Sequence, residues 1–188
     1  MKIIDFPIHI HDFAKDRWSY RRYKITLAFL RKYIPEGSVI LDLGTENGLG
    51  NFMKKNGYAV INTEGQDFDY GIQAIHPAAI NCHVVTAFEV LEHLVNPFRL
   101  LQELPGNKLI ASIPLRLWFA RAFKNKTNKA GWHYHEFEQW QFDWLLEKTG
   151  WTIIDSEKHT SPTFKIGFRS ILRWVTPRIY IVYAIRKE

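Results

Sequence analysis

The stretch from Val39 to Gly50, VILDLGTENGLG, constrains this chain more than any other. Val39 to Leu41 are apolar and β-prone, Asp42 ends the run, and a turn carrying Gly44 and Gly48 leads into Leu49–Lys55, which reads as a helix. An uninterrupted apolar run that stops at a turn signal is the pattern of a buried parallel strand. Glycine at the turn lets the backbone take φ > 0 or lets a ligand come close. A strand–glycine turn–helix unit also aims the free N–H groups of the helix N-terminus at whatever sits above the sheet edge. The predicted class is therefore α/β.

The remaining chain supplies the other layers. Asp16–Tyr33 reads as a helix with Tyr20, Tyr23, Leu27, Leu30 and Ile34 near helical spacing, closed by the turn Pro35–Ser38. Further strands are expected at Gly57–Glu64, His83–Phe88, Lys108–Pro114, Thr152–Asp155 and Arg178–Ile185. A helix before Gly150 turns Phe142, Leu145 and Leu146 to the core, with the glycine as its C-cap. Phe168, Ile171, Leu172 and Val175 form an apolar stripe, the pattern of a covering helix. Glu64 ends the second strand 16 residues past Gly48. In dinucleotide-type folds an acid about 20 residues beyond the glycines binds ribose hydroxyls, the alternative here being a solvated strand-end carboxylate.

At 188 residues with 46% hydrophobic content the chain is long enough for one well-buried domain. Within it the expected parts are an N-terminal covering region at 1–35, a core at 37–155, and a C-terminal helix and last strand at 156–188. A single cysteine, Cys82, excludes an internal disulfide and fits a reducing compartment. The start meets Asp5 and Pro7 too early for a signal peptide, and no apolar run approaches the ~20 residues of a spanning helix, so a cytoplasmic protein is expected. The net charge of +6 is uneven: residues 1–114 hold 12 Lys/Arg and 12 Asp/Glu, residues 115–188 hold 13 and 7. Attraction to anions thus belongs to the C-terminal part, either to an acceptor carrying phosphate or to an anionic lipid surface.

The run Asp42-x-Gly44-x-Glu46-x-Gly48 resembles the first motif of class I S-adenosylmethionine-dependent methyltransferases, with Glu46 standing where the family has its middle glycine. Two further strings extend the resemblance over residues 37–155. FEVLEHL…NP, from Phe88 to Pro97, is similar to the ubiquinone-type small-molecule methyltransferases, and the His-rich segment running to Gly150-Trp151 is similar to a later motif of the same proteins. The resemblance implies a Rossmann-like, seven-stranded, mostly parallel sheet flanked by helices, with the last strand antiparallel. It implies S-adenosylmethionine as cofactor, held by Asp42, Gly44, Thr45 and Gly48, with Glu64 on the ribose. Asp67, Phe68 or Asp69 would lie at the adenine, and Phe88 and Glu89 would border it. The N-terminal helix, with Trp18 and Tyr20, and the insertion Leu115–Trp132 would shape a pocket for a small-molecule acceptor.

Two features bear on the chemistry. Glu89, Glu92 and His93 are spaced i, i+3, i+4 and on a helix would share one face, a spacing that suits a divalent cation. His135 would be a later fourth ligand, as in the small-RNA 2′-O-methyltransferases this spacing resembles; the other reading is a metal-free helix cap. His93 or His135 could instead accept a proton from an acceptor hydroxyl, since imidazole titrates near neutral pH. Methyl transfer to a small molecule at oxygen is thus expected. Its rivals are metal-dependent methylation of RNA, against which stands the lack of a dense basic patch, and a non-catalytic protein on the same scaffold.

Overall fold

The structure, a computed structural model, describes residues 10–63, 65–72, 79–124, 131–162 and 166–186, with the side chains of 10–18 outside the description. Six strands form one sheet: β1 (Val39–Asp42), β2 (Ala59–Asn62), β3 (Val84–Phe88), β4 (Lys108–Pro114), β5 (Thr152–Thr160) and β6 (Pro177–Ile185), in the order β2-β1-β3-β4-β6-β5. β1 to β4 are parallel, and β6 is antiparallel to both its neighbours. The expected seventh strand is not among the described residues. After β2, Phe68–Tyr70 forms a single 3₁₀ turn, because the Asp67 side chain accepts from the Asp69 N–H and competes with extended pairing. Phe68, offered above as an adenine contact, is buried in the core.

The described residues form five α-helices, α1 (Ile10–Arg31), α2 (Gly48–Lys55), α3 (Pro97–Glu103), α4 (Gln139–Lys148) and α5 (Phe168–Val175), of which the first four pack on the sheet. One face packs Leu27, Phe29, Leu30 and Ile34 of α1 and its following turn with Met53 of α2 against Ile40, Val84, Ile110 and Ile181. The other packs α3 and α4 through Leu100, Leu101, Phe142 and Leu146 against Leu41, Val85, Leu109 and Val182. Strands buried on both faces explain why β1, β3 and β4 read as near-continuous apolar runs. α4 stops at Thr149, and Gly150 follows at φ +88 so that Trp151 N–H reaches the Leu146 carbonyl at 2.9 Å.

Two elements depart from expectation. Glu89 to Leu94 is not a helix that carries three side chains on one face. Glu89 takes φ +56 and only Leu91–His93 make a 3₁₀ turn, since Asn96 and Pro97 already open α3. α5 forms, yet none of its residues is buried: of its apolar stripe Phe168, Ile171 and Val175 face outward and Leu172 is half-buried, so the stripe does not cover the sheet. No helix among the described residues is long and apolar enough to cross a membrane.

Candidate active site

Strand order places the site. From β1 the chain moves to β2 on one side, then returns to β3 on the other, so the switch in direction lies between β1 and β3. Open α/β sheets bind ligands in the crevice outside the carboxyl ends of such strands. The Gly44 turn follows β1 there, and Phe88-Glu89 ends β3 beside it.

Asp42 anchors the crevice. It is 2% exposed, and its carboxylate accepts from Thr86 Oγ1 at 2.6 Å and Asn62 Nδ2 at 3.1 Å. Burial outweighs these bonds and pushes its pKa up to about 6. Beyond it Gly44 has φ +109, and a Cβ added there would meet nothing within 4 Å, so open space lies over this backbone. The Gly44 N–H donates to Thr63 Oγ1 at 2.8 Å and its carbonyl accepts from Thr63 N–H at 3.2 Å, which fixes the turn to the end of β2. Asn47 closes α2 by accepting from Leu49 and Gly50 N–H. Glu46 is 59% exposed on its side chain and pairs with Lys54 Nζ at 2.9 Å. The residue in the middle-glycine position is therefore engaged with α2 and solvent rather than with the space over Gly44.

Tyr23 of α1 sits over the turn: a Cβ on Gly48 would lie 2.5 Å from its hydroxyl oxygen. This close approach gives Gly48 a steric reason. Thr45 is exposed at the lip, Asp67 is exposed and occupied as the cap of the 3₁₀ turn, and Phe88 is half-buried. Glu64 lies outside the described residues, as does the Trp18 side chain.

A second group of polar residues surrounds the end of β3. Glu89, held in the left-handed region that non-glycine residues enter at a cost of about 1 kcal/mol or more, faces Arg22 Nη1 at 3.8 Å and Ser112 Oγ at 3.4 Å. Glu92 is 1% exposed, and neither carboxylate oxygen has a hydrogen-bond partner among the described residues. Burial first, and the Glu89 charge second, push its pKa well above the usual carboxylate range. His93 Nε2 lies 3.7 Å from its Oε1.

His93 and His133 meet edge to face, ring centres 4.9 Å apart. His93 Nδ1 lies 2.9 Å from the Trp132 carbonyl and must be the protonated nitrogen, since a carbonyl only accepts. His133 Nδ1 lies 3.1 Å from Glu136 Oε1, so the same tautomer follows. A neutral ring in this tautomer keeps its lone pair on Nε2. Burial, with His93 alongside, holds the His133 pKa below its ordinary value. Glu92, His93 and His133 offer ligand atoms all within 4.8 Å of one another. A buried carboxylate without partners beside two imidazole lone pairs is a donor set that fits a divalent cation.

His135 does not join this group. Its ring stacks on Phe137 at 5.2 Å and its Nε2 lies 3.4 Å from the Val95 carbonyl, in a groove of about 500 Å³ with Trp140 and Trp144. Of the two histidines in His133-Tyr134-His135 the structure brings the first to His93, not the one anticipated as a fourth ligand. Sequence reasoning also missed Thr63, Arg22 and Arg178, the last 3.8 Å from Glu136 Oε2 through its Nη1. A Thr one residue before Glu64 carries no motif, and the two arginines reach the site from opposite ends of the chain.

The sequence matches no family model and no curated protein. Solved structures do resemble the fold. Magnesium protoporphyrin IX methyltransferase from Synechocystis PCC 6803, with bound SAH, superposes with a TM-score of 0.61 at 14% identity, over 98% of this chain and 90% of that one. An S-adenosylmethionine-dependent methyltransferase from Mesorhizobium loti gives 0.52 at 14% identity, over 85% and 96%. The [4+2]-cyclase SpnF gives 0.55 at 13% identity, over 87% and 80%. At these identities the likeness concerns the fold: this chain has the fold of class I S-adenosylmethionine-dependent methyltransferases.

Proposed function

We propose that the chain transfers a methyl group from S-adenosylmethionine to a hydroxyl of a small molecule. The observation that carries the reading is the open glycine turn beside buried Asp42 at the switch between β1 and β3. In this reading Gly44 admits the cofactor while Gly48 makes room for Tyr23 over the turn, Thr45 lines the cofactor's edge, Glu64 takes the ribose hydroxyls, and Asp67, Phe88 and Glu89 border the adenosine. When bound, the cofactor supplies an electrophilic methyl on a sulfonium, with no further activation needed. The protein's part is alignment and exclusion of water. His93 or His133 accepts the hydroxyl proton at Nε2, each oriented by its Nδ1–H bond to Trp132 or Glu136. The magnesium protoporphyrin IX enzyme, whose name gives a small-molecule acceptor, supports the acceptor class; a cyclase on the same fold is the reason to test the cofactor directly.

Calorimetric titration with S-adenosylhomocysteine is the first test. Saturable binding is expected, weakened about tenfold or more in Glu64→Ala, since hydrogen bonds to a charged group are worth about 1.5–3 kcal/mol. No binding would leave a scaffold without its cofactor, and unchanged affinity in Glu64→Ala would remove the ribose assignment.

One observation favours a second reading, the unpartnered buried carboxylate of Glu92. Glu92, His93 and His133 would hold a divalent cation that polarises the acceptor oxygen in place of proton transfer to imidazole. Calorimetric binding of Mn²⁺ or Zn²⁺ that Glu92→Gln abolishes would decide for it, and salt-sensitive, metal-stimulated methylation of RNA would extend it to nucleic acid.

A further inference from the structure

Because β6 runs antiparallel, its first residues lie at the same sheet edge as the last residues of the parallel strands, with Ile179 opposite Pro114 of β4. Arg178 and Ile179 therefore meet Glu89, Pro114 and His133 around one cavity of about 570 Å³, large enough for a bicyclic aromatic ligand. α1 closes it with Arg22, the segment after β4 adds Arg121 and Lys124, and α5 adds Arg173. Five cationic side chains thus line a space to which Glu89 contributes the carboxylate.

The compensation of these charges is incomplete. Arg22 faces Glu89 and Arg178 faces Glu136 Oε2, both at 3.8 Å, too far for a tight ion pair. Arg22 Nε is buried with no hydrogen-bond partner among the described residues. Arg173 has no carboxylate within 4 Å among them. It is held by neutral oxygens, Nε on the Ser161 carbonyl at 3.2 Å and Nη2 on Ser161 Oγ at 2.9 Å, and Ser161 is itself buried. Burial and the nearby Arg178 charge both act against its ionised form. A guanidinium immobilised in this way, next to a second one, costs free energy that a bound anion would recover.

We propose that this cavity recognises the methyl acceptor by an anionic group, a carboxylate or a phosphate, gripped by Arg173 and Arg178 while the acceptor's hydroxyl lies at the His93–His133 pair. This deepens the methyl-transfer reading and rests on it for the identity of the ligand, but the anion site stands on the arginine geometry alone. Four of the five cavity cations, Arg121, Lys124, Arg173 and Arg178, belong to residues 115–188, the part of the chain that carries the whole net positive charge.

The test uses calorimetry on the full chain with three probes of one shape: 2-naphthoate, 2-naphthyl phosphate and neutral 2-naphthol. At least one anion is expected to bind ten times or more tighter than 2-naphthol, and the stronger of the two identifies carboxylate or phosphate. Arg173→Gln should weaken that anion about tenfold or more, the value of one charge-assisted hydrogen bond. Arg173→Lys should recover part of the loss. Arg169→Gln, on the same helix but not lining the cavity, should leave it unchanged. Equal affinity for 2-naphthol, no anion binding up to about 10 mM, or equal losses in Arg169→Gln and Arg173→Gln would each overturn the proposal. S-adenosylhomocysteine titrated into the same samples separates the two readings. Anion preference without cofactor binding removes methyl transfer and keeps the anion site, whereas cofactor binding without anion preference does the reverse.

Discussion

Asp42 couples the crevice to pH. Its folded-state pKa of about 6 stands above the unfolded value near 3.8, so between those limits the folded chain keeps a proton that the unfolded chain releases. The unfolded state then binds fewer protons, and stability falls as pH rises through this window, levelling off above about 6. A rise of about two units corresponds to about 3 kcal/mol at most. Urea denaturation of the ligand-free protein should therefore show Asp42→Asn gaining on the parent between pH 4 and pH 7; a difference that stays constant across that range would mean that the carboxylate ionises freely. The strand, turn and helix that carry Asp42, Gly44 and Gly48 were legible because the pattern is local there. His133 was not. Its segment has no repeating geometry, so spacing could not say which histidine turns to His93; Glu136 on one and Phe137 under the other make that choice.

Elements were read best where one period rules. The strand expected at Lys108–Pro114 is the strand observed, and of the predicted α4 face Phe142 and Leu146 are buried while Leu145 is half-buried against the core. Failures came where short-range polar bonds or a proline override the pattern, as at Asp67 and at Asn96-Pro97. α5 failed differently. Its period is right, but a stripe does not reveal whether anything packs on it, and here Ile171 and Phe168 stand exposed. Ile171→Glu should consequently change stability by no more than about 0.5 kcal/mol, against about 2–5 kcal/mol for Leu146→Ala in the core. Thermal denaturation of the two variants checks this, and a loss in Ile171→Glu comparable to that in Leu146→Ala would mean that the stripe is covered in solution, for instance by a second copy.

The whole molecule depends on its last strand more than its order in the chain suggests. β6 is inserted between β4 and β5, and among the described residues β5 pairs with no other strand. Residues after 155, read from the sequence as a helix and last strand added to a core, supply the strand through which that core continues. β6 also fills both faces of the sheet, with Tyr180 and Val182 on one and Ile181 and Tyr183 on the other. At about 1.5–3 kcal/mol for each large buried side chain, these four contribute roughly 6–12 kcal/mol, the size of a typical domain's entire stability. The same strand carries Arg178 into the cavity. A chain ending at Thr176 should thus lose more than a border: β4 would become an open edge, β5 would have no partner, and Trp151 would lose the ring contact with Arg186 that follows β6. The expected result is a truncated protein with no cooperative unfolding transition by circular dichroism or calorimetry. A sharp transition in that variant would show that the parallel strands fold without β6, and would reduce the C-terminal segment from part of the sheet's framework to a wall of the cavity.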